Sequence, residues 1–265
     1  MEKNYNLHPL WDAILDIYQA FAKVCDKHGL RYYATGGTAL GAMRHKGFIP
    51  WDDDFDLVMP RPDYTAFMAK YYKELPTWLN TINFINTPEF DYEHGKIKEC
   101  RKEIIDKIIS ESRLSLNEGV FIDIIPIDGL PKADIQFKIW AFKRRIWRKN
   151  IYINKLCLTK KLLWRTLGFL MLIPFDKIKI RKQYEKWLSS INFDSARAVD
   201  DVNTNSKRLL SRNLTKETFG EGKMVPFYTS YVRVPTNVEY FLEEIFGDWK
   251  KLPPVEQRIP SHQII

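Results

Sequence analysis

Residues 36–60 read GGTALGAMRHKGFIPWDDDFDLVMP, and this stretch decides both the fold and the chemistry. Its second half predicts a strand over residues 55–59. Asp54 and Asp56 stand on either side of Phe55, so on an extended chain they point to the same face. Two carboxylates on one face repel each other, and each resists ionisation unless a cation neutralises the pair. Hard carboxylate oxygens at this spacing suit Mg²⁺ (or Mn²⁺) together with substrate phosphates.

A third acidic side chain lies inside the strongest strand signal of the chain. Residues 120–126 read VFIDIIP, which is β-branched and aromatic with Asp123 in its middle. A neighbouring strand would bring Asp123 within reach of Asp54 and Asp56. The alternative is that residues 51–56 form a solvated acidic loop. Because an unpaired acid inside an apolar strand is costly, the sequence favours a metal site.

A glycine turn precedes the carboxylates. Gly36, Gly37 and Thr38 close a predicted short strand and open a predicted small helix. Glycines at such a place let a phosphate approach the backbone N–H groups at a helix N-terminus. A plain turn is the alternative for this pair of glycines. Arg44 and Lys46 follow in the intervening loop, where their charges are placed to meet a phosphate.

The remaining elements follow from hydrophobic periodicity. Apolar residues at spacings of three and four predict an amphipathic helix from Leu10 to Lys27. Further helices are predicted for residues 38–44, 64–72 and 236–246, with two or three more between 133 and 188. Short strands are predicted at 30–35, 80–86, 92–98 and 102–106. This mixture predicts an α+β fold.

Composition excludes several protein classes and shows an uneven charge. The 265 residues are 45% hydrophobic and 14% aromatic, which excludes a disordered tail and a disulfide-stapled miniprotein. The net charge is +8, yet residues 132–182 carry fifteen Lys or Arg and two acidic residues, a net charge of +13. The rest of the chain therefore carries −5. From the charge alone, nucleic acid is the partner expected for such a basic segment.

The location predicted from the sequence is cytoplasmic. Cys25, Cys100 and Cys157 are far apart and form no metal-binding spacing, which favours a reducing compartment. The first residues lack the pattern of a signal peptide. The most apolar stretch, residues 162–175, is shorter than the ~20 residues that a membrane span needs.

Several of these stretches together resemble the LicD family of phosphocholine transferases, relatives of the fukutin-type phosphoalditol transferases. The likeness is carried by residues 37–56, by Met59-Pro60-Arg61, by FIDIIPIDG at 121–129, and by FGDW at 246–249 with LPP at 252–254. It covers most of residues 30–130 and 231–262. The region 132–212 carries none of it.

The resemblance implies a nucleotidyltransferase-like mixed sheet flanked by helices, with a basic helical insertion. We accordingly expect a catalytic core at 1–131, a basic, Trp-rich helical segment at 132–212 and a C-terminal segment at 213–265 that returns to the core. Asp54 and Asp56 would bind the divalent metal, and Asp123 would complete the site or act as a base.

The same resemblance extends the phosphate-binding set. Lys96 matches a position where a lysine would meet a phosphate, and its alternative is a solvated strand lysine. Arg258 and His262 fit the closing basic-then-His pattern of the family. Together with Gly36, Gly37, Thr38, Arg44 and Lys46, these residues form the expected donor-binding set. The sequence leaves open whether Asp52 or Asp53 also contacts the metal.

The activity that the resemblance implies is transfer of a phosphocholine-type group from CDP-choline or another CDP-alcohol. A hydroxyl of a cell-surface glycan, or of its lipid-linked precursor, would attack the phosphorus, and CMP would leave. Two rivals stay open. A nucleotidyltransferase acting on a small molecule or RNA would release pyrophosphate from a nucleoside triphosphate, and an inactive module would only bind glycan or membrane.

The resemblance changes the partner expected for the basic segment. An anionic membrane surface then becomes the candidate partner of residues 132–182, and nucleic acid is no longer expected. Trp140, Trp147 and Trp164 among the cations are typical of a segment lying in a membrane interface, at the inner face of the plasma membrane. The alternative is a helical subdomain with an ordinary solvated basic face.

Overall fold

The computed structural model of the protein describes residues 6–84, 86–87, 90, 92–112, 119–157, 177–201 and 212–259. The helices are α1 (His8–Lys27), α2 (Gly36–His45), α3 (Arg61–Ala69), α4 (Lys102–Ser112), α5 (Asp134–Cys157), α6 (Lys177–Leu188), α7 (Lys216–Phe219) and α8 (Val238–Phe246). The strands are β1 (Tyr33–Ala34), β2 (Asp56–Pro60), β3 (Leu79–Ile82), β4 (Gly95–Glu99), β5 (Phe121–Leu130), β6 (Ala198–Asp201), β7 (Lys223–Phe227) and β8 (Ser230–Val234).

The strands form one mixed sheet and one separate hairpin. The sheet runs β1-β2-β5-β4-β3, and β6 also pairs with β5. Strands β2 and β5 are parallel, whereas the other pairings in the sheet are antiparallel. Strands β7 and β8 pair antiparallel as the hairpin. Helices flank this sheet, so the predicted α+β fold with a nucleotidyltransferase-like mixed sheet is confirmed.

Strand β5 organises the sheet. It has β2 along one edge, and β4 followed by β6 along the other. Pro126 has no N–H to donate, and it lies between the residues that pair with β4 and those that pair with β6. Ile122, Ile124 and Ile127 are buried, because helices cover the sheet. An isolated proline therefore does not end this strand, which runs five residues beyond the predicted Ile125.

A buried ion pair joins the carboxyl ends of β2 and β5. Arg61 donates from Nε and from a terminal nitrogen to the two carboxylate oxygens of Asp128, both at 2.7 Å. Its other terminal nitrogen donates to Glu185 of α6, also at 2.7 Å. The side chains of Arg61 and Asp128 are only 5% and 3% exposed. Helix α6, from the basic segment, is thus bonded directly to the central sheet.

The first helix is as its periodicity predicts. Helix α1 buries one face, including Leu10, Ile14, Ile17 and Phe21. Proline at its second position fits the N-terminus, where an N–H would have no partner within the helix. Burial of this apolar stripe against the sheet supplies most of the stability of such a helix.

Other predicted elements are wrong or shifted. Residues 102–106 form the start of α4, not a strand, because Ile104 and Ile108 recur at helical spacing and Ile108 is buried against the core. The helix expected at 64–72 begins earlier, at Arg61, and a short 3₁₀ turn covers 71–74. The strands expected at 30–35, 80–86 and 92–98 are shorter than predicted.

Helices α5 and α6 pack on each other through aromatic rings. Trp140 stacks on Trp187 with ring centroids 5.4 Å apart, and Trp147 stacks on Tyr184 at 5.6 Å. Trp140 is only 5% exposed. These tryptophans therefore make an interhelical contact, and the membrane contact that the sequence suggested for them stays a prediction. Trp164 and the apolar stretch 162–175 lie outside the described residues.

Residues 198–201 connect the segment 132–212 to the sheet. They form β6, which pairs with β5 from Ile127 to Leu130. Arg144 of α5, itself buried, donates to the carbonyl of Asp201 at 3.1 Å. The division into segments at 1–131, 132–212 and 213–265 stays a prediction. Of the helices described, none is long and apolar enough to cross a membrane.

Candidate active site

Three neighbouring strands carry a row of charged side chains across the sheet. In the parallel pairing of β2 with β5, Asp56 lies opposite Asp123. In the antiparallel pairing of β5 with β4, Asp123 lies opposite Lys96. Residues in register on adjacent strands point to the same face of a sheet. The sheet therefore assembles the two acids that the sequence placed on separate strands, together with the predicted lysine.

The loop before β2 adds further carboxylates. Burial raises the pKa of Asp56 well above its usual range, and the negative charges of Asp54 and Asp123 raise it further. The cation of Lys96 opposes these charges. Burial also raises the pKa of Asp52, followed by the charge and the hydrogen bond of Asp54. The acidic loop is thus gathered against the sheet, and the alternative of a solvated loop is wrong.

The glycine turn packs directly on these carboxylates. Gly36 has φ +52°, and a Cβ added there would lie 3.0 Å from Asp56 Oδ2. A Cβ on Gly37 would lie 2.5 Å from Asp52 Oδ2, closer than carbon and oxygen can approach. Both glycines begin α2, two residues before the predicted start. The positive φ favours glycine at position 36, and a side chain at position 37 would displace the carboxylate of Asp52.

Thr38 holds the backbone of the strand that carries the carboxylates. Its Oγ1 accepts a hydrogen bond from the amide of Asp56 at 2.8 Å, and the side chain is buried. The amide of Thr35 donates to the carbonyl of Asp56 at 3.1 Å. The backbone of Asp56 is thus held by hydrogen bonds on both sides of its Cα.

Two basic side chains face Asp123. His94 Nε2 lies 3.3 Å from Asp123 Oδ1, and Lys96 Nζ lies 3.2 Å from the same oxygen. Burial opposes ionisation of Asp123, but the hydrogen bonds and charges of His94 and Lys96 outweigh it and lower its pKa. Asp56 and Asp123 therefore differ in the direction of their pKa shifts, because His94 and Lys96 stabilise the charge of Asp123.

His94 is the site residue that the sequence reasoning missed. It precedes β4 by one residue and stands two residues before Lys96, a spacing that places both on one face of an extended chain. Its ring centroid lies 5.1 Å from that of Tyr92. The alternation of His94 with Lys96 could have indicated it, once Lys96 had been assigned to the site.

Lys96 is not a solvated strand lysine. It is 4% exposed, and its Nζ lies 3.4 Å from the centroid of the Phe121 ring and 5.3 Å from that of Tyr92. A buried ammonium needs a paired anion and favourable ring contacts, which Asp123 and the rings supply. Its assignment to phosphate binding stays a prediction.

Arg44 and Arg258 form a second group at the edge of the acidic loop. Arg44 donates to the carbonyls of Trp249 and Lys251 at 3.0 and 3.2 Å, which attaches the C-terminal segment to α2. Arg258 donates to the carbonyl of Pro253, and its guanidinium lies 5.5 Å from the centroid of the Trp51 ring. Burial, and then the charge of Arg258, lowers the pKa of Arg44. Two guanidinium groups held close together in this way favour an anion between or beside them.

Lys46 and His262 are two further residues that the sequence assigned to phosphate binding. Lys46 is exposed and ends α2 with φ 55°, while its carbonyl accepts a hydrogen bond from Tyr228 at 2.7 Å. The backbone of Lys46 therefore has a structural part, and its side chain remains available to a ligand. His262 lies outside the described residues.

The residues present fit a divalent cation that is completed by substrate oxygens. Among the described residues, no three His, Cys, Asp or Glu side chains converge as a ready-made metal cage. Mg²⁺ needs no such cage, since it is usually held by one or two carboxylates together with waters and phosphates. Asp54 and Asp56 could supply that pair, and Asp52 and Asp123 lie next to them. Burial and the neighbouring carboxylates raise the pKa of Asp56, and a cation at this place would stabilise its charge.

The chain is similar in sequence to known proteins over the residues that form this site. Residues 29–126 match the family described as LicD/FKTN/FKRP, nucleotidyltransferase domain. The chain is 28% identical over 251 residues, 94% of its length, to the protein of Haemophilus influenzae named lipopolysaccharide cholinephosphotransferase LicD, of which the match covers 92%.

Two shorter matches are to uncharacterized proteins. The chain is 38% identical over 56 residues to one of Rickettsia typhi and over 52 residues to one of Rickettsia prowazekii. These matches cover 20% and 18% of the chain, and 18% and 20% of the two proteins. They carry no activity to compare.

Proposed function

We propose that this chain is a phosphotransferase that moves a phosphocholine-type group onto a hydroxyl of a lipopolysaccharide or a similar cell-surface glycan. The proposal starts from the fact that the chain belongs to the LicD family. The observation that carries the proposal is the register of β2, β5 and β4, which sets Asp56, Asp123 and Lys96 side by side. The family match spans Asp56 and Asp123, so the row lies inside the matched domain. The similarity to the cholinephosphotransferase supports choline as the alcohol.

The donor in this proposal is CDP-choline or another CDP-alcohol. In-line attack by a sugar hydroxyl on the phosphorus next to the alcohol forms a new phosphodiester and breaks the bond to CMP, which leaves. Asp54 and Asp56 would hold Mg²⁺ (or Mn²⁺), and a divalent cation bound there supplies neutralisation of the charge on the diphosphate and on the departing phosphate. Phosphate oxygens would complete its coordination.

Asp123 is suited to position the hydroxyl of the glycan acceptor. Its lowered pKa keeps the carboxylate ionised near neutral pH, so it can accept a hydrogen bond from the attacking hydroxyl. The same lowered pKa makes it a weak base. We therefore assign Asp123 first to orientation of the hydroxyl, with His94 and Lys96 holding the carboxylate in place.

The guanidinium groups of Arg44 and Arg258 are assigned to the donor phosphates. The charge of Arg258 lowers the pKa of Arg44, and Arg258 lies beside Trp51, which directly precedes the acidic loop. An anion there would relieve the repulsion between two cations. The N-terminus of α2 at Gly36, Gly37 and Thr38, and the side chains of Lys46, Lys96 and His262, complete the proposed donor-binding set.

One assay separates this reaction from its rivals. The purified protein is incubated with a panel of CDP-alcohols, Mg²⁺ and a lipopolysaccharide-type acceptor, and the released nucleotide is identified. The proposal expects CMP together with a modified glycan. Release of pyrophosphate from a nucleoside triphosphate would establish the nucleotidyltransferase rival. Absence of any turnover with every donor in the panel would favour a module that only binds glycan or membrane.

Variants of the acidic loop give the assay its control. Asp54→Asn and Asp56→Asn keep the side-chain volume and should lower transfer at least about a hundredfold, since they change direct ligands. Asp106→Asn, on the exposed face of α4, is the matched control and should leave transfer unchanged. If the Asp54 and Asp56 variants keep substantial transfer, the assignment of the metal pair is wrong.

The place of action is part of the proposal. A CDP-linked donor is a cytoplasmic metabolite class, so the reaction is assigned to the cytoplasmic side, at the inner face of the membrane if the acceptor is lipid-linked. The anionic membrane surface predicted for residues 132–182 belongs to this picture but does not depend on the reaction. Fractionation of cells that produce the tagged full chain would test the location.

A further inference from the structure

Helix α5 has two apolar faces, and within the described part of the chain only one of them is packed in the core. Its inner face places Phe137 and Trp140 in the core. Its outer face carries large side chains that are exposed over 43–67% of their surface: Ile135, Ile139, Phe142 and Ile146. A helix that only packs on its own protein has a polar outer face. This second apolar face is exposed to solvent, so it is available to a partner.

The outer side chains form one continuous stripe. They follow each other at spacings of four, three and four residues, so at 3.6 residues per turn they fall within about 60° of the helix circumference. Lys138 and Arg145 lie along one border of this stripe and Lys143 lies along the other, and all three are exposed. A central apolar stripe between two rows of cations is the arrangement of a helix that lies in a membrane interface.

The charge around the stripe is of one sign. Residues 132–148 hold six Lys or Arg and one acidic residue, Asp134. Arg144 is buried and Arg148 lies 3.5 Å from Glu93, so the charge available to a partner comes from the exposed side chains of the other four cations: Lys132, Lys138, Lys143 and Arg145. Asp134 is paired with Arg212 at 2.5 Å, so its charge is already matched by another cation. The outer face of α5 is therefore complementary to an anionic surface.

A cleft continues the same face. It has a volume of about 520 Å³ and lies where α5 meets the end of α6. Trp140, Trp187 and Ile139 give it apolar walls, and Lys132 and Lys143 stand among its lining residues. Ile139 and Lys143 belong to both the cleft and the striped face. Apolar walls with lysines beside them suit the boundary between the acyl chains and the headgroups of anionic lipids.

We infer that the outer face of α5, from Ile135 to Ile146, binds the surface of an anionic lipid bilayer. Dimerisation through this face would bring two surfaces of the same positive sign together, which is unfavourable. Nucleic acid would match the cations but would leave Phe142 and three isoleucines against phosphates and water. A bilayer with anionic headgroups satisfies the cations and the apolar stripe together.

This inference does not rest on the proposed reaction. Lipid binding needs neither donor nor acceptor, and the residues of the outer face are separate from the carboxylate row on β2 and β5. A failure of lipid binding would leave the transferase assay untouched. A failure of the transferase assay would leave the lipid measurement equally informative.

The test is sedimentation of the full chain with vesicles. Vesicles of phosphatidylcholine alone are compared with vesicles of phosphatidylcholine mixed with phosphatidylglycerol, at low and at raised ionic strength. The protein should bind the mixed vesicles more tightly, and raised ionic strength should weaken that binding. The variant Ile139→Gln/Phe142→Gln should bind at least about tenfold more weakly. The variant Lys138→Gln/Lys143→Gln should lose about fivefold for each cation removed.

The matched control lies on another exposed helix. The variant Lys107→Gln/Ile109→Gln removes one cation and one exposed isoleucine from α4, and it should bind as the unchanged chain does. All altered side chains are exposed, and thermal melting of each variant checks that it is folded. If one pair of substitutions prevents folding, the other pair still tests the face.

Three results would overturn the inference. The first is equal binding to neutral and mixed vesicles. The second is unchanged binding of both α5 variants. The third is that the unchanged chain forms a dimer that does not bind vesicles, while the variant Ile139→Gln/Phe142→Gln is a monomer. The outer face of α5 would then bind a second copy of the chain.

Discussion

The buried ion pair of Arg61 with Asp128 gives the sharpest prediction about stability. The pair joins the ends of the two parallel strands that carry Asp56 and Asp123, and its third hydrogen bond goes to Glu185 of α6. We consider Arg61→Leu, which keeps an apolar side chain in the space but removes the guanidinium. Asp128 is then left as an uncompensated carboxylate whose side chain is 3% exposed.

The expected loss is large because one charge stays buried without its partner. Removal of one member of a buried pair costs about 3–5 kcal/mol. For a protein of this size, each kcal/mol lowers Tm by roughly 2–4 °C, which gives a fall of about 6–20 °C. The double variant Arg61→Leu/Asp128→Leu removes both charges, so it should recover much of that loss. Urea unfolding monitored by tryptophan fluorescence, together with differential scanning fluorimetry, measures both variants.

A surface pair provides the comparison. Lys27 and Glu74 lie 2.7 Å apart, but their side chains are 64% and 35% exposed. Lys27→Leu should therefore cost no more than about 1 kcal/mol. The reasoning is refuted if Arg61→Leu costs as little as Lys27→Leu. It is also refuted if the Arg61→Leu/Asp128→Leu variant is as unstable as the single variant, since the unpaired charge would then not be the cause.

Three further predictions concern the carboxylate row. In metal-free buffer, Asp56→Asn should raise Tm although it abolishes transfer, because it removes a carboxylate whose pKa is raised in the folded state. Raised folded-state pKa values of Asp52 and Asp56 also mean that their contribution to stability falls as pH rises above about 4, so the variant should show a shallower fall in melting temperature across that range. Gly37→Ala should lower transfer about a hundredfold by pushing Asp52 aside, and CMP release measures it. His94→Ala should raise the pKa of Asp123, so the acidic limb of the pH profile of transfer should move to higher pH. Activity should fall about 10- to 100-fold. An acidic limb that does not move would mean that Asp123 does not determine that limb.

The parts of the fold that could be predicted are those with a strong local pattern. Helix α1 and strand β5 have apolar residues at one clear spacing, and burial of that pattern decides their structure. Residues 102–106 failed because adjacent isoleucines favour a strand locally, while packing of Ile108 on the core selects a helix. The length of β5 could not be predicted either, since a proline is tolerated only where the neighbouring strands leave a gap.

The candidate site divides in the same way. Asp123 could be predicted as a candidate because an unpaired carboxylate in an apolar strand is costly, and Asp54 and Asp56 because they alternate at the start of a strand. Contact of Asp123 with His94 depends on the order of strands β2, β5 and β4, which no local pattern contains. The close approach of Gly37 to Asp52 likewise arises only when α2 folds back on the loop. Sequence reasoning therefore finds the residues whose own neighbours make them unusual, and it misses those that tertiary structure brings to the site.

Helices α5 and α6 are connected by hydrogen bonds to the elements around the proposed active site, and this connection gives the proposed lipid-binding face a consequence. Glu185 of α6 bonds to Arg61 at the end of β2, and Arg144 of α5 bonds to the carbonyl of Asp201 in β6. Strand β6 in turn pairs with the same β5 that holds Asp123. Because these contacts are hydrogen bonds between regular elements and not a single linker, a bilayer that binds α5 would also fix the orientation of the carboxylate row. An enzyme bound to the bilayer in this way would meet a lipid-linked acceptor by diffusion along the membrane surface. The positive charge of α5 would then assist the reaction by holding the active site at the surface where the acceptor lies.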